Sequence, residues 1–352
     1  MERNILITGG AGYIGSHLCL TLLENNFSVT VLDSEVKSSP KSLERVMDIY
    51  KKNKTNPNIK FNYIKGDLRD SKLLDSIFKN CVLKNDPIYA VIHLAGLKSA
   101  NESLKKPLLY WDNNVNGILK LLDVMNKNSC NNLIFSSSAT IYGSIQNRRL
   151  NEKDEIKPIN PYGFTKAISE RILEDIYNSS ANRWKIINLR YFNPIGAHHS
   201  GMIGECSKDI PSNIFPHILL VANGKSTELK IFGNDWETFD GTGIRDYIHV
   251  MDLADAHLSA LLYLTREKKI FNTFNIGTGK GTSVLELVNT FQEVNKCKIP
   301  FKFSCRRNGD VAYAVADNSL AGEILGWYPK RSLRKMCKDG WLWNKLNPNG
   351  FV

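Results

Sequence analysis

The sequence predicts an α/β protein, with a doubly wound parallel sheet followed by a smaller C-terminal α/β domain. Three observations carry that prediction. Short apolar runs alternate with helical patterns through the first half of the chain. Runs that are apolar throughout suit strands of a parallel sheet covered on both faces. A glycine-rich turn joins the first run to the first helix. After about Arg190 the texture changes, and Gly, Pro and Asn punctuate shorter elements. The expected division is 1–190 and 191–352, with 244–265 a candidate return to the first domain.

The elements follow in order. Ile5-Leu6-Ile7-Thr8 reads as a buried strand, and a helix runs from Ser16 to about Glu24. Ser28–Leu32 is a β-branched strand ending at Asp33. Later strands are Phe61–Ile64, Ala90–Leu94, Asn132–Phe135 and Lys185–Leu189, with helical segments between them. Sheets of this kind bind ligands beyond the carboxyl ends of their strands, so chemistry is expected there.

Composition narrows the class. The chain has 352 residues, 42% of them hydrophobic, enough for one large or two intimate domains. It has no run of 18 apolar residues, and Ile5-Leu6-Ile7 is too short for a signal-peptide core, so a cytoplasmic location without membrane attachment is expected. Seven scattered cysteines without a CxxC pair argue against a disulfide framework and against a zinc site. Triplets such as Asn101-Glu102-Ser103 are chance sequons in an asparagine-rich chain. The net charge of +11 does not concentrate into a nucleic-acid surface; Lys51-Lys52-Asn53-Lys54 is the densest basic run and reads as a solvated loop.

The turn Thr8-Gly9-Gly10-Ala11-Gly12-Tyr13-Ile14-Gly15 spaces glycines at 9, 12 and 15. They suit a tight turn, close backbone approach to a pyrophosphate, and helix–strand packing, with the helix N-terminus facing the phosphates. This marks a Rossmann-type dinucleotide site. Asp33, 18 residues after Gly15, suits a ribose diol and would repel a 2′-phosphate, so NAD is expected over NADP, although Lys37 stands near. Gly66-Asp67-Leu68 and Leu94-Ala95-Gly96, with Lys98 beyond, either flank the dinucleotide or are ordinary loops.

Asn160-Pro161-Tyr162-Gly163-Phe164-Thr165-Lys166 reads as a helix start that puts Tyr162 and Lys166 on one face. A tyrosine working as a base near neutrality needs its pKa of about 10 lowered by about 3 units. An adjacent ammonium and a positive nicotinamide suit that task. Tyr50 to Lys54 repeats the spacing without a serine partner. Ser136-Ser137-Ser138 follows the strand at Leu133–Phe135, where a serine can share the hydroxyl that Tyr162 deprotonates.

The glycine turn, Ser136–Gly143 and Tyr162-x-x-x-Lys166 together resemble the extended short-chain dehydrogenase/reductase family. Ala95–Lys98, Asp112–Gly117, Arg190–Pro194, Ile231–Asp235 and Asp240–His249 narrow the resemblance to its UDP-hexose 4-epimerase branch, over nearly the whole chain. The resemblance implies a homodimer with bound NAD and no metal, inverting C4 between UDP-glucose and UDP-galactose through a transient 4-keto sugar. It implies Tyr162 as base, Ser138 as its hydrogen-bonding partner, and Lys166 on the nicotinamide ribose. It assigns cofactor contacts to Gly9, Gly12, Tyr13, Ile14, Gly15, Asp33, Asp67, Leu68, Leu94, Ala95, Gly96, Lys98, Asn113, Ser136, Tyr162, Lys166 and Tyr191. Substrate contacts fall on Lys98, Ser138, Tyr162, Asn193, Asn213, Ile214, Lys230, Phe232, Arg245, Tyr247, Arg307, Asp310 and Ala314. Arginines suit a diphosphate through bidentate contacts; taken without the resemblance, Arg245 and Arg307 read equally as surface ion-pair residues.

Two departures stand out. Asp33 is followed by Ser34 where the family often has Asn, and Ser212-Asn213 replaces a frequent Asn-Asn. A gate over the sugar falls on Ala314. A small residue there implies tolerance of UDP-GlcNAc and UDP-GalNAc, unless Tyr313 swings into the gate. A sugar-nucleotide 4,6-dehydratase shares the fold and the Tyr–Lys pair, but it needs an acid/base pair that Ala139-Thr140-Ile141 does not supply. A non-catalytic NAD-binding protein would not need Tyr162, Lys166 and Ser138.

Overall fold

The computed structural model describes residues 3–53, 56–143, 148–179, 183–206, 213–307 and 309–351. Its main sheet has seven strands: β1 (Asn4–Thr8), β2 (Ser28–Asp33), β3 (Phe61–Lys65), β4 (Ile88–His93), β5 (Asn132–Ser138), β6 (Lys185–Tyr191) and β7 (Ile270–Ile276). All pair in parallel, in the order β7-β6-β5-β4-β1-β2-β3. The doubly wound sheet expected from the alternation is present. Strand order reverses between β1 and β4, so the connections leaving them diverge and open a crevice at their carboxyl ends. Thr8, Asp33, His93, Ser138 and Tyr191 each close a strand at that end.

Side chains alternate across the sheet, and two cores result. Ile5 and Ile7 of β1 join one core, with Leu18 and Leu22 of the helix Tyr13–Glu24 and Leu253 and Leu261 of the helix Val250–Arg266. Leu6 joins the other, with Ile77 and Phe78 of Ser71–Leu83, Leu121 and Met125 of Gly117–Lys127, and Leu173 of Pro161–Ser179.

Two expectations change in detail. The first helix begins at Tyr13 rather than Ser16, because Gly12 is the extended residue that caps it. Within 244–265, Tyr247–His249 does not enter the main sheet; it pairs in parallel with Asn193–Ile195. The helix Val250–Arg266 then packs along Tyr13–Glu24, and the strand that enters the sheet is β7, paired to β6.

The C-terminal elements gather on a third core of Phe215, Ile218, Leu229, Ile231, Leu287, Phe291 and Met336. Helices Ile214–Ala222, Val284–Asn295 and Leu333–Leu346 surround it. The strands here are only two to four residues long. The helix at Val284 is fixed by a capping box between Ser283 and Glu286.

Candidate active site

The glycine turn is built for close backbone approach. Gly9 has φ +76° and its N–H donates to Leu32 O at 2.8 Å. A Cβ on Gly9 would stand 2.7 Å from Ala95 N, and one on Gly15 would stand 2.4 Å from Gly9 O. Gly12 caps the helix Tyr13–Glu24 with no side-chain bond, so the first helical N–H groups are left for a ligand. They open on a cavity of about 710 Å³. A cradle that a single methyl would fill, at a helix N-terminus in a cavity of this size, fits a dinucleotide.

Asp33 closes the adjoining strand and is 7% exposed. Its carboxylate accepts from Ala11 N at 3.0 Å, Glu35 N at 2.8 Å and Ser38 Oγ at 2.6 Å. A carboxylate has about four lone-pair sites, so one remains for a ribose hydroxyl. The buried negative charge disfavours a phosphate there, and Lys37 on the same wall lies 3.8 Å from Glu102.

Besides the turn glycines and Asp33, this cavity is lined by Tyr13, Ile14, Asp67, Leu68, Leu94, Ala95, Gly96, Lys98, Asn113 and Ser136. A second cavity of about 290 Å³ brings together Ser138, Tyr162, Tyr191, Asn193, Asn213, Ile214, Lys230, Phe232, Arg245, Tyr247, Arg307, Asp310 and Ala314. Lys98 and Asn213 line both. Lys166 lines neither and is buried beneath them.

Two catalytic candidates, Ser138 and Tyr162, share the wall of the second cavity. Asn160 Oδ1 accepts from Gly163 N at 2.9 Å and starts the helix that carries Tyr162 and Lys166 one turn apart. Ser138 ends β5. Its Oγ accepts from Thr140 N at 3.2 Å and Thr140 Oγ1 at 2.9 Å, which leaves its proton for Tyr162, whose phenol it works to lower. Lys166 Nζ donates to Ser136 O at 2.6 Å and lies 4.8 Å over the Phe135 ring. Burial pulls the Lys166 ammonium down to about 8 against the raising effect of Glu170. Burial pushes the Tyr162 phenol up, with Ser138 opposing. The protein's own groups therefore do not lower the phenol as the Tyr–Lys spacing suggested, because desolvation outweighs them.

In the second cavity, Arg307 Nε meets Asp310 Oδ2 at 3.1 Å and its guanidinium lies 4.6 Å over Phe232. Burial lowers Arg245, an environment unlike that of a surface ion pair. The Tyr247 hydroxyl is buried without a hydrogen-bond partner among the described residues, and this residue lines the cavity. An unpartnered buried hydroxyl on a cavity wall marks a place for a ligand atom.

Ala314 and Tyr313 form a two-residue strand beside Ile244–Arg245. Ala314 lines the second cavity, while the Tyr313 ring lies against Gly281 on the opposite face. Asp310 is the only carboxylate among the described residues lining that cavity, and it is held by Arg307. This leaves no acid/base pair for eliminating water. In the second Tyr-x-x-x-Lys, Tyr50 is buried and accepts from Asn56 N at 3.3 Å, while Lys54 lies outside the described residues. Ser212 lies outside them as well.

Sequence reasoning missed Asn114. It is buried; its Oδ1 accepts from Leu97 N at 2.8 Å, and its Nδ2 donates to Leu97 O and Thr165 Oγ1, both at 3.0 Å. It ties the loop after β4 to the Tyr–Lys helix. Its sequence signal was its place in Asp112–Gly117, a stretch that carried the resemblance while only Asn113 was assigned a contact.

A family model described as GDP-mannose 4,6 dehydratase matches residues 6–340. The chain is 46% identical over 351 residues to UDP-glucose 4-epimerase 2 of Arabidopsis thaliana, covering 100% of this chain and 97% of the relative. It is 44% identical to UDP-glucose 4-epimerase of Bacillus subtilis (strain 168), covering 99% and 98%. Among solved structures, UDP-glucose-4-epimerase from Stenotrophomonas maltophila, with bound NAD and formylated UDP-arabinopyranose, superposes with a TM-score of 0.92 at 40% identity, covering 99% of each chain.

Proposed function

The chain belongs to the UDP-glucose 4-epimerases of the extended short-chain dehydrogenase/reductase family, and from that premise we propose how its residues carry the reaction. It interconverts UDP-glucose and UDP-galactose by NAD-dependent inversion at C4. The observation that carries the residue assignment is Ser138 and Tyr162 together on the wall of the second cavity, with Lys166 buried and bonded to Ser136, which lines the first.

Residues 1–190 hold the dinucleotide and 191–352 the UDP-sugar, with Val250–Arg266 and β7 returning to the sheet. Gly9, Gly12 and Gly15 admit the pyrophosphate, and Asp33 takes the adenosine ribose. Bound NAD supplies reversible acceptance of hydride from the sugar carbon, which no side chain here offers. Tyr162 takes the proton of the 4-hydroxyl and later returns it, and Ser138 donates to the same oxygens. Lys166 would seat the cofactor's positive ring beside Tyr162, where an added cation favours the phenolate. Asn193, Asn213, Arg245, Tyr247, Arg307 and Asp310 grip the UDP. The sugar is held more loosely, so the 4-keto form turns and presents its other face.

Ala314 leaves room for an acetamido group, and Tyr313 is turned away from the cavity. These two observations support turnover of UDP-GlcNAc and UDP-GalNAc as well. Exposed Leu104, Leu108, Trp111, Phe164 and Ile168 lie on neighbouring helical segments and support a homodimer through that face. Among the described residues no helix is long and apolar enough to cross a membrane, which fits the cytoplasmic location we propose.

The test is incubation of the purified protein with UDP-glucose, UDP-galactose, UDP-GlcNAc and UDP-GalNAc, without added NAD, followed by product separation. All four are expected to equilibrate with their C4 epimers, and Tyr162→Phe is expected to lower kcat by about 10²–10⁴-fold. Conversion of UDP-galactose but not UDP-GlcNAc removes the acetamido reading. Undiminished turnover by Tyr162→Phe removes the site assignment.

A further inference from the structure

The end of β5 has two faces. Side chains alternate along an extended chain, so Ser136 and Ser138 reach the cavities while Ser137 points back into the protein. The Ser137 hydroxyl donates to Glu170 Oε1. Glu170 is buried, one helical turn beyond Lys166 on Pro161–Ser179. Its carboxylate is gripped at both oxygens by Arg190 of β6, with Nε to Oε1 at 3.0 Å and Nη2 to Oε2 at 2.6 Å. Arg190 spends its remaining nitrogen on Tyr142 Oη at 2.8 Å and Glu152 O at 3.0 Å. Tyr142 in turn donates to Asn275 Oδ1 of β7 at 2.6 Å.

The pair is almost fully withdrawn from water, with side-chain exposures of 5% for Arg190 and 7% for Glu170. A buried ion pair is a weak source of stability, because desolvation offsets its attraction, and apolar side chains would fill the space as well. What apolar residues cannot supply is direction. A bidentate guanidinium fixes the plane of the carboxylate and aims one lone pair at Ser137. Two bonds then run from the catalytic helix to adjacent residues of β5, Lys166 to Ser136 O and Glu170 to Ser137 Oγ. Ser138 is the next residue, and its partner Tyr162 starts the same helix.

We propose that Glu170, clamped by Arg190, is a positioning residue for the epimerisation. It locks the serine strand end against the catalytic helix so that Ser138 meets Tyr162, and it supplies the negative charge that keeps Lys166 ionised. The inference rests on the assignment of Tyr162, Ser138 and Lys166 given above. Lys166 shares a helix face with Tyr162 and Glu170, and meets Ser136 O and the Phe135 ring from β5 and the Gly96 backbone. From β4 it faces His93, which burial keeps neutral by drawing it down to about 3. Arg190 of β6 stands behind Glu170. Glu170 is the carboxylate of this group, so removing its charge makes Lys166 lose its proton at lower pH.

The experiment compares holoenzyme carrying Ser137→Ala with holoenzyme carrying the neutral double change Glu170→Gln/Arg190→Met, which removes the buried ion pair together and leaves Lys166 without its neighbouring carboxylate, and with Tyr162→Phe as reference. Ser137→Ala is expected to lower kcat roughly fivefold at unchanged KM for UDP-galactose. The double variant is expected to lower kcat further and to move the alkaline limb of its pH profile to lower pH. A folded double variant with unchanged kcat and an unchanged alkaline limb overturns the proposal, since a merely structural pair would move only the melting temperature. An active Tyr162→Phe would instead strike the assignment on which the proposal rests.

Discussion

A methyl group at position 15 would meet Gly9 O at 2.4 Å and Gly10 Cα at 2.6 Å, both backbone atoms that cannot swing aside. At Gly9 the clash with Ala95 N is joined by a φ of +76°, which costs an L-residue roughly 1–2 kcal/mol. Gly15→Ala is therefore expected to push the helix N-terminus away from the turn and to yield protein with most of its NAD lost. Ultraviolet absorbance of the purified protein and cofactor release on denaturation measure this, and a full NAD complement in the variant would refute it. The glycines, Asp33, Tyr162 and Lys166 were legible in the sequence because each acts within a short local pattern. Ser137, Glu170 and Arg190 were not, because their chemistry lies in pairings 20 and 33 residues apart that only the sheet brings together. The raised phenol of Tyr162 was hidden for the same reason: spacing shows a neighbouring lysine but not the burial that outweighs it.

The helical run from Pro107 to Lys127 is interrupted by a π-helical turn at Trp111–Asn116. Such wide turns are costly and cluster at functional sites. Here the turn holds two adjacent asparagines with different duties. Asn113 lines the cofactor cavity, and Asn114 clamps Leu97 and Thr165. Asn114→Ala leaves the Leu97 N–H and C=O without those partners, for a destabilisation of about 2 kcal/mol. It also frees the loop carrying Lys98 from the catalytic helix, so kcat should fall along with stability. Urea denaturation and steady-state kinetics on one preparation check both, and an unchanged denaturation midpoint would show that the clamp carries no weight. Long elements were readable from periodicity, and β1 to β6 lie close to where apolar runs put them; β7, Ile270–Ile276, was not read, and the return to the sheet was looked for at 244–265 instead. The two- and three-residue strands of the C-terminal half were not. A pair such as Tyr247–His249 with Asn193–Ile195 has no periodicity of its own and exists only because tertiary packing brings the segments side by side.

At the scale of the whole molecule, the joint between the nucleotide turn and the C-terminal elements is made with neutral histidines. His17, on the first helix, accepts from His198 N through Nε2 at 3.1 Å and holds Tyr13 O through Nδ1 at 2.7 Å, so both ring nitrogens are used in the neutral form. His249 accepts from Met251 N at 3.0 Å and meets Asp339 of the last helix at 3.2 Å. Burial draws His17 and His93 down to about 3 and His198 and His257 to about 4, and it lowers His249 as well. A histidine lowered in the fold takes its proton more readily in the unfolded chain, at about 6.5. Its contribution to stability is complete above that pH and is lost as pH falls toward the folded value. Asp246 works against this, since burial raises it to about 6 and it gains stability on acidification from 6 toward 3.8. Burial raises Glu152 too, but two carboxyls against five imidazoles leave the histidines in control between pH 6.5 and about 4. Below that range the depressed carboxylates Asp67, Asp317 and Asp339 add to the loss. The expected outcome is a urea midpoint that holds level from pH 7.5 to about 6.5 and then falls toward pH 5, with NAD released in step because the His17–His198 contact lies beside the cofactor turn. His17→Gln should flatten that slope, even at lower absolute stability, because it removes one proton-binding difference between the two states. A midpoint that stays level across this range would mean that these rings reach solvent and that the joint is not set by their neutrality.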